Sequence, residues 1–62
     1  MTYEQVQVYV YLKNSRVAKT RKTMIRALKK GYKDLDLSLR ELILDGHVKI
    51  VPSPNGATFQ VA

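Results

Sequence analysis

The chain has 62 residues, of which 45% are hydrophobic, and carries a formal net charge of +6 at pH 7 without any cysteine. A chain this short forms one domain, and it buries only about 60% of its unfolded surface, so its core is small. The composition excludes a disulfide framework and a cysteine-based zinc site, and His47 alone cannot form a metal site.

The sequence shows no membrane span and no signal peptide, which favours a location inside the cell. No apolar run reaches the roughly 18 residues of a membrane span, and the N-terminus lacks the charged and apolar regions of a signal peptide. We therefore expect a soluble, cytoplasmic protein without cofactors, associated with the nucleoid or, if encoded by a phage, located in the host cell.

Charge is strongly segregated along the chain. Nine of the eleven basic residues fall in a stretch without any acid: Lys13, Arg16, Lys19, Arg21, Lys22, Arg26, Lys29, Lys30 and Lys33. Four of the five acids follow directly: Asp34, Asp36, Glu41 and Asp45. This separation predicts one strongly positive face, which is typical of proteins that bind a phosphate backbone.

Residues 3–13 allow two interpretations. Val6, Val8, Val10 and Leu12 alternate with polar residues and tyrosines, as in a strand. Tyr3, Val6, Val10 and Lys13 also follow one helical stripe, and Thr2 with Gln5 forms a capping-box pattern at its start. The high β-propensity of the valines and tyrosines favours a strand, whereas the capping-box pattern is typical of a helix.

The middle of the chain predicts a short strand and two helices. Residues 16–19 fit a short strand in which Val17 points inward. Thr20 is a plausible N-cap for a helix over about 20–30, which ends near Gly31. Tyr32 and Lys33 form the turn, and Asp34 caps a second helix over about 34–45. Its inward stripe consists of Leu35, Leu39, Leu42 and Ile43, and Gly46 terminates it.

The C-terminal segment predicts a β-hairpin over 47–61. Both halves alternate with period two, and Val48, Ile50, Phe59 and Val61 are the inward candidates. Pro54, Asn55 and Gly56 between the halves are strong turn formers. His47 is interpreted as a residue at the start of a strand, because no partner for catalysis is visible.

The segment Leu39-Arg-Glu-Leu-Ile-Leu-Asp-Gly-His-Val48 resembles the third helix and the start of the wing in winged helix-turn-helix domains. Val17-Ala-Lys-Thr-Arg-Lys-Thr-Met-Ile-Arg-Ala-Leu28 is similar to the short strand and second helix of that family. The resemblance covers about residues 16–61 and implies a single α+β domain with three helices and a wing, which favours a helix over 3–13. The open alternative is a β-α-α-β-β fold.

What the resemblance implies is binding to double-stranded DNA, with the third helix in the major groove and the wing on the backbone or minor groove. The sequence departs from this pattern, because only Ser38 and Arg40 of the predicted third helix could donate to DNA and four carboxylates accompany them. On the wing, Lys49 is the only charged residue.

We therefore expect the second helix and its flanks to supply most phosphate contacts. The candidate nucleic-acid-binding residues are Arg16, Lys19, Arg21, Lys22, Thr23, Arg26, Lys29, Lys30, Lys33, Ser38, Arg40 and Lys49. Leu37 and Leu44 lie on the same side of the third helix, off its inward stripe. They are either buried under the first helix or available for self-association or a protein partner.

The sequence thus predicts a small non-enzymatic DNA-binding protein, either a transcriptional regulator or a recombination accessory factor. Compact basic domains of this kind are frequent in phages and mobile elements, which is analogy only. One alternative is a protein-interaction module on the same scaffold, which binds a protein partner through the basic face or through Leu37 and Leu44. Another is a single-strand binder that stacks bases on Tyr9 and Tyr11, which would require residues 3–13 to form a strand.

Overall fold

Three helices precede a β-hairpin, and a short strand between the first two helices joins that hairpin in one sheet. The computed structural model describes all residues 1–62. Its elements are α1 (Tyr3–Asn14), β1 (Lys19–Thr20), α2 (Arg21–Leu28), α3 (Tyr32–Leu44), β2 (Val48–Ser53) and β3 (Gly56–Val61). The sheet is antiparallel with strand order β1-β3-β2. This is the predicted winged-helix-like α+β arrangement, and the β-α-α-β-β alternative is wrong. None of the three helices has the length and apolar character to cross a bilayer.

Helix α1 begins with the predicted capping box. The Thr2 hydroxyl accepts from the Gln5 backbone N–H at 3.2 Å, and the Thr2 N–H donates to the Gln5 side chain at 3.2 Å. Val8 and Leu12 are fully buried on its inner face. The strand propensity of the valines is overridden because these inner residues join the core and the cap satisfies the first N–H groups.

Strand β1 is shorter than predicted and starts three residues later. Only Lys19 and Thr20 pair with β3, opposite Phe59 and Thr58. The chain leaves the sheet at once, because the Thr20 hydroxyl accepts from the Thr23 N–H at 3.2 Å and so caps α2 as predicted. Val17 precedes the paired residues and is exposed, so its predicted inward orientation is wrong.

The turn between α2 and α3 falls two residues before the predicted position. Lys29 adopts a left-handed conformation with φ +54° and donates its N–H to the Ile25 carbonyl at 2.8 Å, which ends α2 at Leu28. Gly31, predicted to end α2, is instead the N-cap of α3, so that helix begins at Tyr32 and Asp34 lies in its first turn. Tyr32 and Lys33 are therefore helical and not the turn.

The end of α3 and the hairpin agree with the prediction in outline. Gly46, with φ +79°, follows the C-cap of α3, and β2 pairs with β3 from Val48–Val61 to Ser53–Gly56 around a turn at Pro54 and Asn55. His47 lies just before β2 with its ring edge-on to the ring of Tyr9. Of the inward candidates, Val48 and Phe59 are buried and Val61 is half-buried, whereas Ile50, which lies on the edge strand β2 opposite Phe59, is exposed.

The core consists of eight buried apolar side chains, with at least one from each helix and each hairpin strand: Val8, Leu12, Met24, Leu35, Leu39, Leu42, Val48 and Phe59. Tyr9 and Tyr11 pack against this cluster from its edge. Because residues 3–14 form a helix, the expectation that these two tyrosines share a sheet face, on which the single-strand alternative depended, is wrong.

We expect Leu42→Ala to lower the free energy of unfolding by about 2–5 kcal/mol, because Leu42 is fully buried and its loss opens a cavity in a small core. The matched control is Leu44→Ala on the same helix, which is 69% exposed and should cost less than about 0.5 kcal/mol. Urea titration followed by circular dichroism measures both. Equal losses would contradict the assigned orientation of α3.

Candidate nucleic-acid interface

Seven cations from the loop before β1, from β1 and α2, from the following turn and from the start of α3 form what we call the basic surface. They are Arg16, Lys19, Lys22, Arg26, Lys29, Lys30 and Lys33. Five are exposed, and Lys19 and Lys30 are half-buried. None of the seven pairs with a carboxylate, because the one salt bridge of the protein joins Arg21 and Asp36. Their charges are therefore available to an anionic partner.

Helix α2 directs its cations away from the core. Met24 is its only buried residue, and Lys22 and Arg26, four residues apart, share the opposite face. Thr23 is exposed beside them, and its hydroxyl accepts from the Thr20 hydroxyl at 3.0 Å. The Thr23 hydroxyl keeps its own proton free to donate to a phosphate oxygen.

Arg21 is placed differently from the other predicted site residues. Its Nε lies 2.8 Å from Oδ1 of Asp36 and its Nη2 lies 2.6 Å from Oδ2, a bidentate pair between α2 and α3. Its guanidinium carbon also lies 4.9 Å from the centre of the Tyr32 ring. Arg21 therefore holds the two helices together, and the carboxylate of Asp36 is neutralised within the protein.

The outer face of α3 differs from the predicted one. Lys33, Leu37, Arg40 and Leu44 follow one helical stripe opposite the buried core residues. Leu37 and Leu44 are 54% and 69% exposed, so their burial under α1 is wrong. Ser38 is buried, because it lies at the edge of the inward stripe, and its predicted contact with DNA is wrong.

The remaining carboxylates of α3 lie to one side of this stripe. Asp34 and Glu41 line a cleft between α3 and the start of α1, together with Thr2, Glu4, Gln5, Leu37 and Ser38. They are thus directed toward the N-terminal end of α1, where the helix dipole favours negative charge. The predicted repulsion of a duplex by four carboxylates is smaller than the sequence suggests, since two face this cleft and Asp36 is paired.

The wing contributes little charge. Lys49 is exposed on β2 opposite Gln60, and the turn at Pro54 and Asn55 is neutral. Lys49 therefore lies on a different element from the basic surface, and the structure does not group it with the other candidates.

Sequence reasoning missed an apolar groove of about 290 Å³ beside α3. Its lining residues are Asp36, Leu39, Arg40, Ile43, Leu44 and Phe59. The groove forms where Phe59 of β3 reaches α3, and no local sequence pattern reports that contact.

Comparisons with protein-family models, with curated proteins and with solved structures found nothing that matches this chain. The fold and the chemistry of the surface therefore carry the functional argument.

The Arg21–Asp36 pair should contribute a small coupling to stability. A double-mutant cycle with Arg21→Ala and Asp36→Ala is expected to give about 0.2–1 kcal/mol, because both side chains are nearly half exposed and solvent screens them. The coupling should shrink when urea titrations are repeated at high salt. A coupling that does not change with salt would contradict an electrostatic contact.

Proposed function

We propose that this protein binds double-stranded DNA without enzymatic activity, as a transcriptional regulator or recombination accessory factor. One observation carries the proposal. A helix-turn-helix with a wing bears seven cations, none of them paired, along its second helix and the flanks of that helix. Membership of the winged helix-turn-helix family is part of the proposal.

The basic surface supplies the phosphate contacts. In helix-turn-helix proteins the helix before the recognition helix crosses the DNA backbone, and here that helix is α2. Lys22 and Arg26 on its outer face, with Lys29 and Lys30 in the turn, would each neutralise a phosphate. Such contacts fix the position of the protein on the duplex and carry no sequence information themselves.

Helix α3 would then enter the major groove with few donors. Lys33 and Arg40 are seven residues apart on its outer stripe, and Arg40 is the one arginine there able to make a bidentate contact with guanine. Leu37 lies between these two cations and Leu44 lies one turn after Arg40. Both leucines could contact thymine methyl groups. We therefore expect binding that is mostly electrostatic, with modest preference among sequences.

Fluorescence anisotropy with a random-sequence duplex tests the proposal directly. We expect affinity to fall steeply with salt. A plot of the logarithm of the binding constant against the logarithm of the salt concentration should have a slope of roughly −6 if all seven cations of the basic surface meet phosphates, and a shallower slope if fewer do. No binding at low salt would overturn the proposal, and so would binding that does not depend on salt.

Removing two cations should weaken binding in a defined way. Lys22→Gln with Arg26→Gln keeps helix propensity, and we expect affinity to fall about tenfold or more and the salt slope to flatten by about 2. The control, Gln5→Glu with Ala62→Asp, lowers the net charge by the same amount outside the basic surface. A glutamate also suits the capping box that Gln5 completes, so α1 keeps its cap. Equal losses in the two variants would show that net charge, and not this surface, determines affinity.

A second candidate function is a protein-interaction module. The exposure of Leu37 and Leu44 on one stripe of α3 favours it, and Leu44 also lines the apolar groove. Here Leu37→Ser with Leu44→Ser would abolish capture of the partner and leave affinity for DNA unchanged. A loss of DNA affinity in this variant would instead assign the two leucines to the DNA-binding face.

A further inference from the structure

Helix α1 has an apolar stripe on the face that points away from the core. Tyr3, Val6 and Val10 are 72%, 41% and 45% exposed, and the exposed Lys13 continues the same stripe. The inner face of the helix, with Val8 and Leu12, is already occupied by the core. An α-helix that is apolar on both faces normally buries both of them.

The spacing of this stripe is symmetric. The intervals between Tyr3, Val6, Val10 and Lys13 are three, four and three residues, which is the a-d-a-d spacing of a coiled-coil seam. When two such helices run antiparallel about a two-fold axis level with Val8, Val6 of each copy meets Val10 of the other. At the ends of the seam, Tyr3 of each copy meets Lys13 of the other. The stripe is therefore complementary to itself.

The chemistry of these contacts is also suited to a second copy. The two valine pairs bury apolar surface in the middle of the seam, where no charge lies. The ammonium of Lys13 can lie over the ring of Tyr3, a favourable cation–π contact. Antiparallel helices also place opposite dipole ends together.

The charge distribution of the molecule also favours a pair that is joined through α1. Two copies that each carry a net charge of +6 repel one another unless their basic surfaces stay apart. Helix α1 carries one acid, Glu4, and one base, Lys13, so it is a neutral element in a basic protein. A pair joined through α1 has no cation of α2 within its seam.

We propose that two copies of this protein associate through α1, in an antiparallel two-fold pair with its centre at Val8. The contact is the isologous type that closes as a dimer. A seam of one 12-residue helix from each copy is smaller than the roughly 1,200 Å² of a stable interface, so the dimer forms only at high protein concentration.

Sedimentation equilibrium without DNA tests the dimer independently of the proposed function. From about 10 μM to about 1 mM, the mass should rise from 7.1 kDa toward twice that value. Val6→Gln with Val10→Gln should remain monomeric, and it keeps the helix because glutamine has the higher helix propensity. Leu37→Gln with Leu44→Gln is the matched control on α3 and should still dimerise.

A monomer throughout this range would overturn the proposal. So would a dimer that survives the α1 substitutions and is lost with the α3 substitutions. Circular dichroism of each variant confirms that its helices are intact.

Disulfide cross-linking tests the register even if a glutamine variant unfolds. The chain has no cysteine, so Val6→Cys with Val10→Cys introduces the only thiols, and oxidised glutathione should link two copies. Val6→Cys alone should link poorly. In the antiparallel pair the two substituted positions lie on opposite sides of the two-fold axis, about 6 Å apart along the helices. This offset adds to the separation between the two helix axes and places the sulfurs too far apart for a disulfide. Efficient linking by Val6→Cys alone would indicate a parallel pair and overturn the antiparallel arrangement.

Discussion

Eight buried apolar side chains from five of the six secondary-structure elements form the core, and its small size limits every other feature of the molecule. Of the three helices, α2 is the least anchored in the core, because Met24 is its only buried residue. The orientation of α2 therefore also relies on the Thr20 cap at one end and on the contact of Arg21 with Asp36 and Tyr32. Neither contact is strong alone, since one is a single cap and the other is exposed to solvent.

The small core also explains why the cations of α2 are exposed. An eight-residue helix that buries one methionine leaves most of its circumference to solvent, and there the sequence places Lys22 and Arg26. Repulsion among unpaired cations lowers stability, and a core of this size has little stability to lose. The sequence nevertheless pairs only Arg21 with a carboxylate and directs Asp34 and Glu41 toward α1. Charges kept unpaired at such a cost are what binding to an anionic partner requires.

The sequence predicts those parts of the fold that have local causes. The capping box at Thr2, the leucine stripe of α3, Gly46 and the turn after Ser53 each follow from the chemistry of a few neighbouring residues. The end of α2 escaped prediction because Lys29, a residue that rarely adopts positive φ, takes the position expected of Gly31. The burial of Ser38 and the exposure of Ile50 depend on which elements pack over each residue, and local sequence patterns do not report such contacts. The Arg21–Asp36 pair escaped as well, since it joins residues 15 apart across a turn that local patterns place only to within two residues.

The ambiguity of residues 3–13 has a physical cause that connects the fold to the proposed dimer. In an ordinary amphipathic helix the apolar residues recur at intervals of three and four, and a helix with one apolar face does not imitate a strand. Here Val8 and Leu12 form the inner stripe, and Val6 and Val10 belong to the outer one. Two apolar stripes, each with residues four apart and offset by two, interleave into strict alternation. The strand-like pattern is thus the sequence signature of a helix with two apolar faces, one for the core and one for a partner. Replacing Val6 and Val10 by glutamine removes the alternation together with the outer face, which is why that variant is expected to keep its fold and lose its pairing.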